Sequence, residues 1–224
     1  MGETEQTAAA IWSSAPLGEF TSWLELSTCL DVEGLVAGVD EVGRGALFGP
    51  VVTAAVILPK EALPSLMAAN IRDSKKLSSS RRTLLAQQIS TLAVDWRIGF
   101  ASTAEIDELN ILQATLLAMK RAVLKLRVQP TLCLVDGNQL VKGLSIPQKT
   151  IVKGDERSLN IAAASIMAKV WRDDLVMRLA AKYPLYDLER NKGYGSQRHL
   201  LALQKHGPSR LHRQSFRPCK VGDG

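Results

Sequence analysis

From Leu35 onward the chain alternates short apolar runs with longer segments whose apolar residues recur every three or four positions. LVAGVDEV (35–42) and PVVTAAVIL (50–58) are short and rich in β-branched residues. The glycine-rich GRGALFG joins them over so few residues that the pair must run antiparallel. DWRIGFAST (95–103), TLCLVDG (131–137) and KTIVKGD (149–155) predict three more strands, and the unbroken apolar run in the fourth marks a strand buried on both faces. Between them lie helical patterns: RRTLLAQQISTLA (81–93) behind a run of serine caps, and EIDELNILQATLLAMKRAVLKLR (105–127). The latter places Ile106, Leu109, Leu112, Leu116, Leu117, Val123 and Leu124 on one broad face. SLNIAAASIMAKVWRDDLVMRLAAKY (158–183) is a long helix stopped by Pro184, and RHLLALQKHG (198–207) a shorter one. Strands that begin as a meander and then alternate with helices predict an α/β fold, a mixed sheet flanked by helices with more helix at the C-terminus.

Composition sharpens this only at the edges. At 224 residues and 46% hydrophobic content, the chain has ample material for one large domain. Residues 1–34 have weak periodicity and form a separate arm of unassigned role, with Trp12, Phe20 and Trp23 available for docking. No apolar run is long enough to span a bilayer. The opening MGETEQTAAAIWSS carries acids and no early Lys or Arg, unlike a secretory signal, and Gln6 stands where myristoylation requires Ser or Thr. Cys29, Cys133 and Cys219 are odd in number and widely spaced, which supports neither a disulfide frame nor a zinc finger. A cytoplasmic protein with no membrane partner is expected. The net charge of +6 and pI of about 9.3 favour a polyanionic partner such as nucleic acid.

The chemistry lies at the strand ends. Asp40 with Glu41, Asp136, and Asp155 just beyond Val152 each close an expected strand. In open α/β sheets the functional crevice lies outside the carboxyl ends of the strands. Asp136–Gly137 alone is an ordinary turn dipeptide and Asp155 alone a helix N-terminal acid. An apolar strand that closes on two adjacent acids is less easily explained, and the three together point to a metal site. Converging carboxylates repel one another unless a cation neutralises them. Oxygen donors without Cys or His select Mg2+ or Mn2+. Two such ions, about 3.5–4 Å apart, would clamp the attacking and leaving oxygens of a phosphodiester. Neighbours on a regular strand face opposite sides, so Asp40 and Glu41 can share a site only where the strand bulges or ends; Gly43 and Gly45 favour irregular backbone here.

VAGVDEVGRG, DSKKLS, VDGN, KGD…IAAASIMAKVWRD and NKGYGS follow one another in this order. The ordered set, spanning roughly residues 35–218, resembles type 2 ribonuclease H, the bacterial ribonuclease HII family. The resemblance implies a ribonuclease H-like catalytic domain over 35–218: a mixed five-stranded sheet, flanking helices and a C-terminal helical segment, with 219–224 as a tail. It implies an endonuclease that cuts the RNA strand of RNA/DNA hybrids. It further implies nicking of duplex DNA 5′ to embedded ribonucleotides, leaving 3′-hydroxyl and 5′-phosphate ends. Carried over, the metal-binding acids are Asp40, Glu41, Asp136 and Asp155, the substrate-contacting loop is Gly43, Arg44 and Gly45, and the junction-reading tyrosine is Tyr194. Where the family continues GRG with proline-leucine-alanine-glycine, this chain has Ala46, Leu47, Phe48 and Gly49.

Lys75 and Lys76 are placed for phosphate contacts, though lysine pairs are commonly just solvated. His199, His206 and His212 lack metal spacing and read as surface or phosphate-contacting residues. A monomer is expected, and a C-terminal tail leaves room for docking on a replication clamp. Two rival readings remain at this level. A junction resolvase of the same broad fold would cluster acids but not need GRG and Tyr194 to sense a 2′-hydroxyl. A hybrid-binding module without catalysis would need basic residues but no converging acids.

Overall fold

The computed structural model describes residues 34–71 and 77–220. Trp12, Phe20, Trp23, Cys29, Lys75 and Lys76 lie outside them. The strands are β1 (Val36–Val42), β2 (Val51–Ile57), β3 (Asp95–Ala101), β4 (Leu132–Asp136) and β5 (Gln148–Ile151). The helices are α1 (Leu63–Ala68), α2 (Ser79–Leu92), α3 (Thr103–Leu109), α4 (Ile111–Leu124), α5 (Leu159–Ala180), α6 (Leu188–Asn191) and α7 (Gln197–His206). The sheet order is β3-β2-β1-β4-β5, antiparallel across β3, β2 and β1 and parallel from β1 through β4 to β5. The mixed five-stranded α/β architecture expected from the apolar pattern is therefore present. Among the described residues no helix is long and apolar enough to cross a membrane.

Both faces of the sheet are covered, which is why β2 reads as an uninterrupted apolar run and is buried along its whole length. On one face Val52, Ala54 and Val56 pack with Leu85 and Ile89 of α2 and Ile166 of α5. On the other, Val39, Ala55, Ile57 and Val135 pack with Met119 and Val123 of α4, and Cys133 is buried among them. At Gly38 in β1 an added Cβ would lie 2.1 Å from the carbonyl carbon of Asn160, so only glycine lets the first turn of α5 lie directly on the central strand. A separate cluster joins the loop after β1 to the C-terminal helices: Leu47 and Phe48 are buried against Val176, Tyr186, Leu188, Leu203 and Cys219. Each such side chain contributes roughly 1.5–3 kcal/mol on burial, so the C-terminal segment is anchored on that loop.

The segment expected as one helix over 105–127 is two. Asn110 adopts φ 71° and ends α3, and its Oδ1 accepts from the N–H groups of Leu112 and Gln113 at 3.0 and 3.2 Å to cap α4. The apolar face differs too. Ala114, Ala118, Met119, Ala122 and Val123 are buried, whereas Leu109, Leu112 and Leu124 are exposed. The large leucines dominate the periodicity, but the helix lays its alanines on the sheet.

Candidate active site

Parallel pairing sets Val39 beside Val135, so the next residues, Asp40 and Asp136, emerge side by side at the carboxyl ends of β1 and β4. The ladder to β2 runs unbroken through Asp40, Glu41 and Val42, so the bulge is absent and the strand simply ends one residue after Glu41. The two acids share a site because the Asp40 carboxylate folds along its own strand, its Oδ1 accepting from the Glu41 N–H at 2.7 Å. Carboxylate oxygens of Asp40, Glu41 and Asp136 all lie within 4.8 Å of one another. Asp155 follows β5 in a 3-10 turn, buried to 6% exposure, and lines the same cleft of about 530 Å³ outside that tight cluster. The turn is tied to the cluster by the Gly154 N–H, which donates to Asp136 Oδ1 at 2.6 Å.

The electrostatics favour a cation. Burial pushes the Asp40 carboxyl well above its ordinary range, and the charges of Glu41 and Asp136 push it further. Burial also raises Glu41; Arg44, whose Nη1 lies 3.6 Å from Glu41 Oε1, pulls it back, and Asp136 pushes it up again. Three carboxylates with no His or Cys thus crowd one another at a largely buried point of the cleft. That donor set fits a hard divalent ion.

The loop after β1 forms the rim. Gly43 has φ +87°, and a Cβ there would stand 2.2 Å from the Nε of Arg172, so the turn requires glycine twice over. Arg44 and Gly45 are exposed. Ala46 bridges Tyr194, and the N–H groups of Leu47 and Phe48 both donate to the Gly193 carbonyl, at 2.8 and 3.2 Å. The departure from the family pattern at 46–49 thus falls on residues that stitch the GRG loop to the tyrosine loop. The half-buried Tyr194 ring lines the cleft, with Lys169 Nζ 5.5 Å and Arg172 Cζ 5.3 Å from its centroid.

Two histidines correct the sequence reading. His199 and His212 are fully buried, because α7 and the following turn fold over the tyrosine loop; His206 alone is exposed. Ser209 donates its N–H and hydroxyl to His212 Nδ1 at 2.9 and 2.8 Å, so the His212 proton sits on Nε2. That Nε2 donates to His199 Nε2 at 3.0 Å, and His199 Nδ1 donates to the Tyr194 carbonyl at 2.8 Å. Burial lowers both rings below the ordinary histidine range, His212 to about 4, with His199 pressing it further. Unfolded histidine takes its proton near 6.5, so the neutral pair stabilises the fold fully above that pH and progressively less as pH falls toward 4. Between pH 7 and pH 5, His212 should account for a loss of about 2 kcal/mol. Urea midpoints at the two pH values check this against His212→Asn, because the raised acids of the cleft shift stability in the opposite sense. An equal pH response in the variant would contradict it.

Ser165, Lys169 and Arg82 line the cleft and were not singled out from sequence. The Ser165 hydroxyl bonds the Asp40 carboxylate, and Lys169 pairs with Asp173 at 2.8 Å. The signal for Ser165 and Lys169 lay in IAAASIMAKVWRD, where Ser165, Lys169 and Arg172 are spaced by four and three on one face of α5; Arg82 lies apart, in α2.

Residues 37–219 match the family model for ribonuclease HII. The ribonuclease HII of Trichormus variabilis is 74% identical over 202 residues, 90% of each chain. Among solved structures, the ribonuclease H2 of Pyrococcus horikoshii is similar with a TM-score of 0.72 at 26% identity, covering 83% of this chain and 95% of that one. The Archaeoglobus fulgidus ribonuclease HII, solved as a complex with PCNA, gives 0.63 at 28%, covering 80% and 92%. A match across nearly all the described residues, from the strand bearing Asp40 to the C-terminal helices that pack on the GRG loop, makes this chain a member of the ribonuclease HII family and hence an endoribonuclease.

Proposed function

We propose that the chain hydrolyses the RNA strand of RNA/DNA hybrids and nicks duplex DNA on the 5′ side of embedded ribonucleotides, leaving 3′-hydroxyl and 5′-phosphate ends. The observation that carries this is the convergence of Asp40, Glu41 and Asp136 within 4.8 Å beside a glycine loop that opens onto the same cleft. Asp40, Glu41 and Asp136 would hold Mg2+ or Mn2+, with Asp155 at the cleft wall completing the set. Bound there, the metal would supply an activated water and neutralise charge on the leaving oxygen.

The remaining work belongs to the chain. Ser165 holds the Asp40 carboxylate in place. Arg44, Lys169 and Arg82 present positive charge to the phosphates on either side of the cut. Backbone N–H groups of the GRG loop bond the ribose 2′-hydroxyl, the group that separates RNA from DNA. Tyr194 stacks on the adjoining sugar or base and fixes the phosphate over the acids.

The test is a duplex with one ribonucleotide, incubated with and without Mn2+. The expected result is a metal-dependent single nick at the bond 5′ to that residue. A resolvase would cut branched DNA and ignore the ribonucleotide, and a binding module would retain the duplex uncut.

A further inference from the structure

Among the described residues, Arg172 and Arg213 are the largest side chains with no exposure. Among the described residues neither has a carboxylate within ion-pair distance. A buried charge without a counterion is expensive unless hydrogen bonds fully surround it. Here the surround consists of backbone carbonyls. Arg172 donates to those of Phe48, Pro50 and Lys192 at 3.0, 3.2 and 2.9 Å. Arg213 donates Nε to Gly49 at 3.0 Å, Nη1 to Arg44 at 2.7 Å and Nη2 to Gly43 at 2.7 Å. Five of the six carbonyls belong to the single loop 43–50.

The planar trans peptide turns this into a statement about donors. The C=O of one residue and the N–H of the next point in opposite directions. Holding the Gly43 carbonyl inward turns the Arg44 N–H outward, and holding the Arg44 carbonyl inward turns the Gly45 N–H outward. Neither N–H has a protein acceptor among the described residues, and both residues are exposed. We infer that Arg213 is a positioning residue for ribose recognition: its guanidinium fixes the two peptide planes of the GRG loop so that the Arg44 and Gly45 N–H groups face the substrate's 2′-oxygen. This rests on the reading of that loop as the ribose sensor. A cationic donor on a carbonyl also polarises its peptide and strengthens the opposite N–H. Arg172 packs against Gly43 and holds the far end of the loop and the tyrosine segment, but it donates to neither of those two carbonyls.

Arg213→Lys keeps the charge and loses the fork that reaches three carbonyls. Single-turnover rates are measured on an RNA/DNA hybrid and on the same hybrid carrying 2′-fluoro only at the sensed position, at a temperature where circular dichroism shows the variant folded. Wild type should lose about ten- to a hundredfold on the fluoro substrate, one mispaired donor or two. The variant should be slower on the all-ribose hybrid by a similar factor, with its fluoro penalty falling toward one. Its Mn2+ affinity by calorimetry should stay within about twofold of wild type, since the acids are untouched. A general structural defect would slow both substrates alike and leave the penalty intact; that result, or an unchanged rate, overturns the proposal. Wild type that fails to cut any hybrid would instead refute the parent reading. Should Arg213→Lys not fold, the wild-type chain still decides: the Arg44 and Gly45 amide resonances must shift when the fluoro hybrid is replaced by the ribose one, and unshifted amides overturn the role.

Discussion

Asp40→Asn is expected to lower the single-turnover rate on an RNA/DNA hybrid by about three powers of ten or more, with the fold intact and hybrid binding little changed. Asp40 is 4% exposed, its carboxyl is held by Ser165 and the Glu41 N–H, and its oxygens sit among those of Glu41 and Asp136. Asparagine keeps the shape and one acceptor oxygen but removes an anionic donor from the set. Losing several kcal/mol of transition-state stabilisation corresponds to about that factor in rate. Stability should move the other way. Burial and two neighbouring carboxylates disfavour the Asp40 charge, so the neutral amide should hold or raise the melting temperature without metal. Adding Mn2+ should raise the melting temperature of wild type by several degrees and that of Asp40→Asn far less. Wild-type turnover in the variant, or an equal Mn2+ response, would remove the cluster as the metal site. Asp136→Asn should behave alike, with one addition: it weakens the bond from the Gly154 N–H that ties the Asp155 turn to the cluster.

Tyr194→Ala should reduce turnover on a single embedded ribonucleotide by about a hundredfold while changing the duplex dissociation constant less than about threefold. Its ring faces the cleft, and its backbone is bridged to Ala46, so the ring and the GRG loop move as one unit. On the proposed role, truncation removes the surface that would fix the sugar and leaves the loop and acids in place. A misplaced phosphate is paid for in turnover; affinity instead follows Lys and Arg contacts and weakens with salt. Tyr194→Phe should fall between wild type and alanine, separating stacking from the hydroxyl. Rates and dissociation constants measured at one fixed salt concentration decide it. A variant that cuts at the wild-type rate would reduce Tyr194 to a rim aromatic held by Lys169 and Arg172.

The acids were legible because two adjacent carboxylates contradict an apolar strand, and such a conflict within a short window points to function. Strands read well for a similar reason: VVTAAVI is apolar throughout because helices cover both faces. The break at Asn110 was missed because leucine periodicity runs straight across it, whereas the stop is a local matter of one residue at positive φ capping the next helix. His199 and His212 were misread because each is polar alone; their burial depends on pairing across thirteen residues, which no window reveals. Arg213 was hidden among the four Lys and Arg residues of RLHRQSFRPCK (210–220), and only its three carbonyl partners set it apart.

Those partners lie 164 to 170 positions earlier in the chain. Of these residues the acids of β1 leave the ribosome first, their partner Asp136 about a hundred residues later, and Arg213 later still. Contacts this distant are slow to close and come after local structure. A nascent polypeptide can thus carry the β1 carboxylates before Arg213 is there to hold the loop's carbonyls.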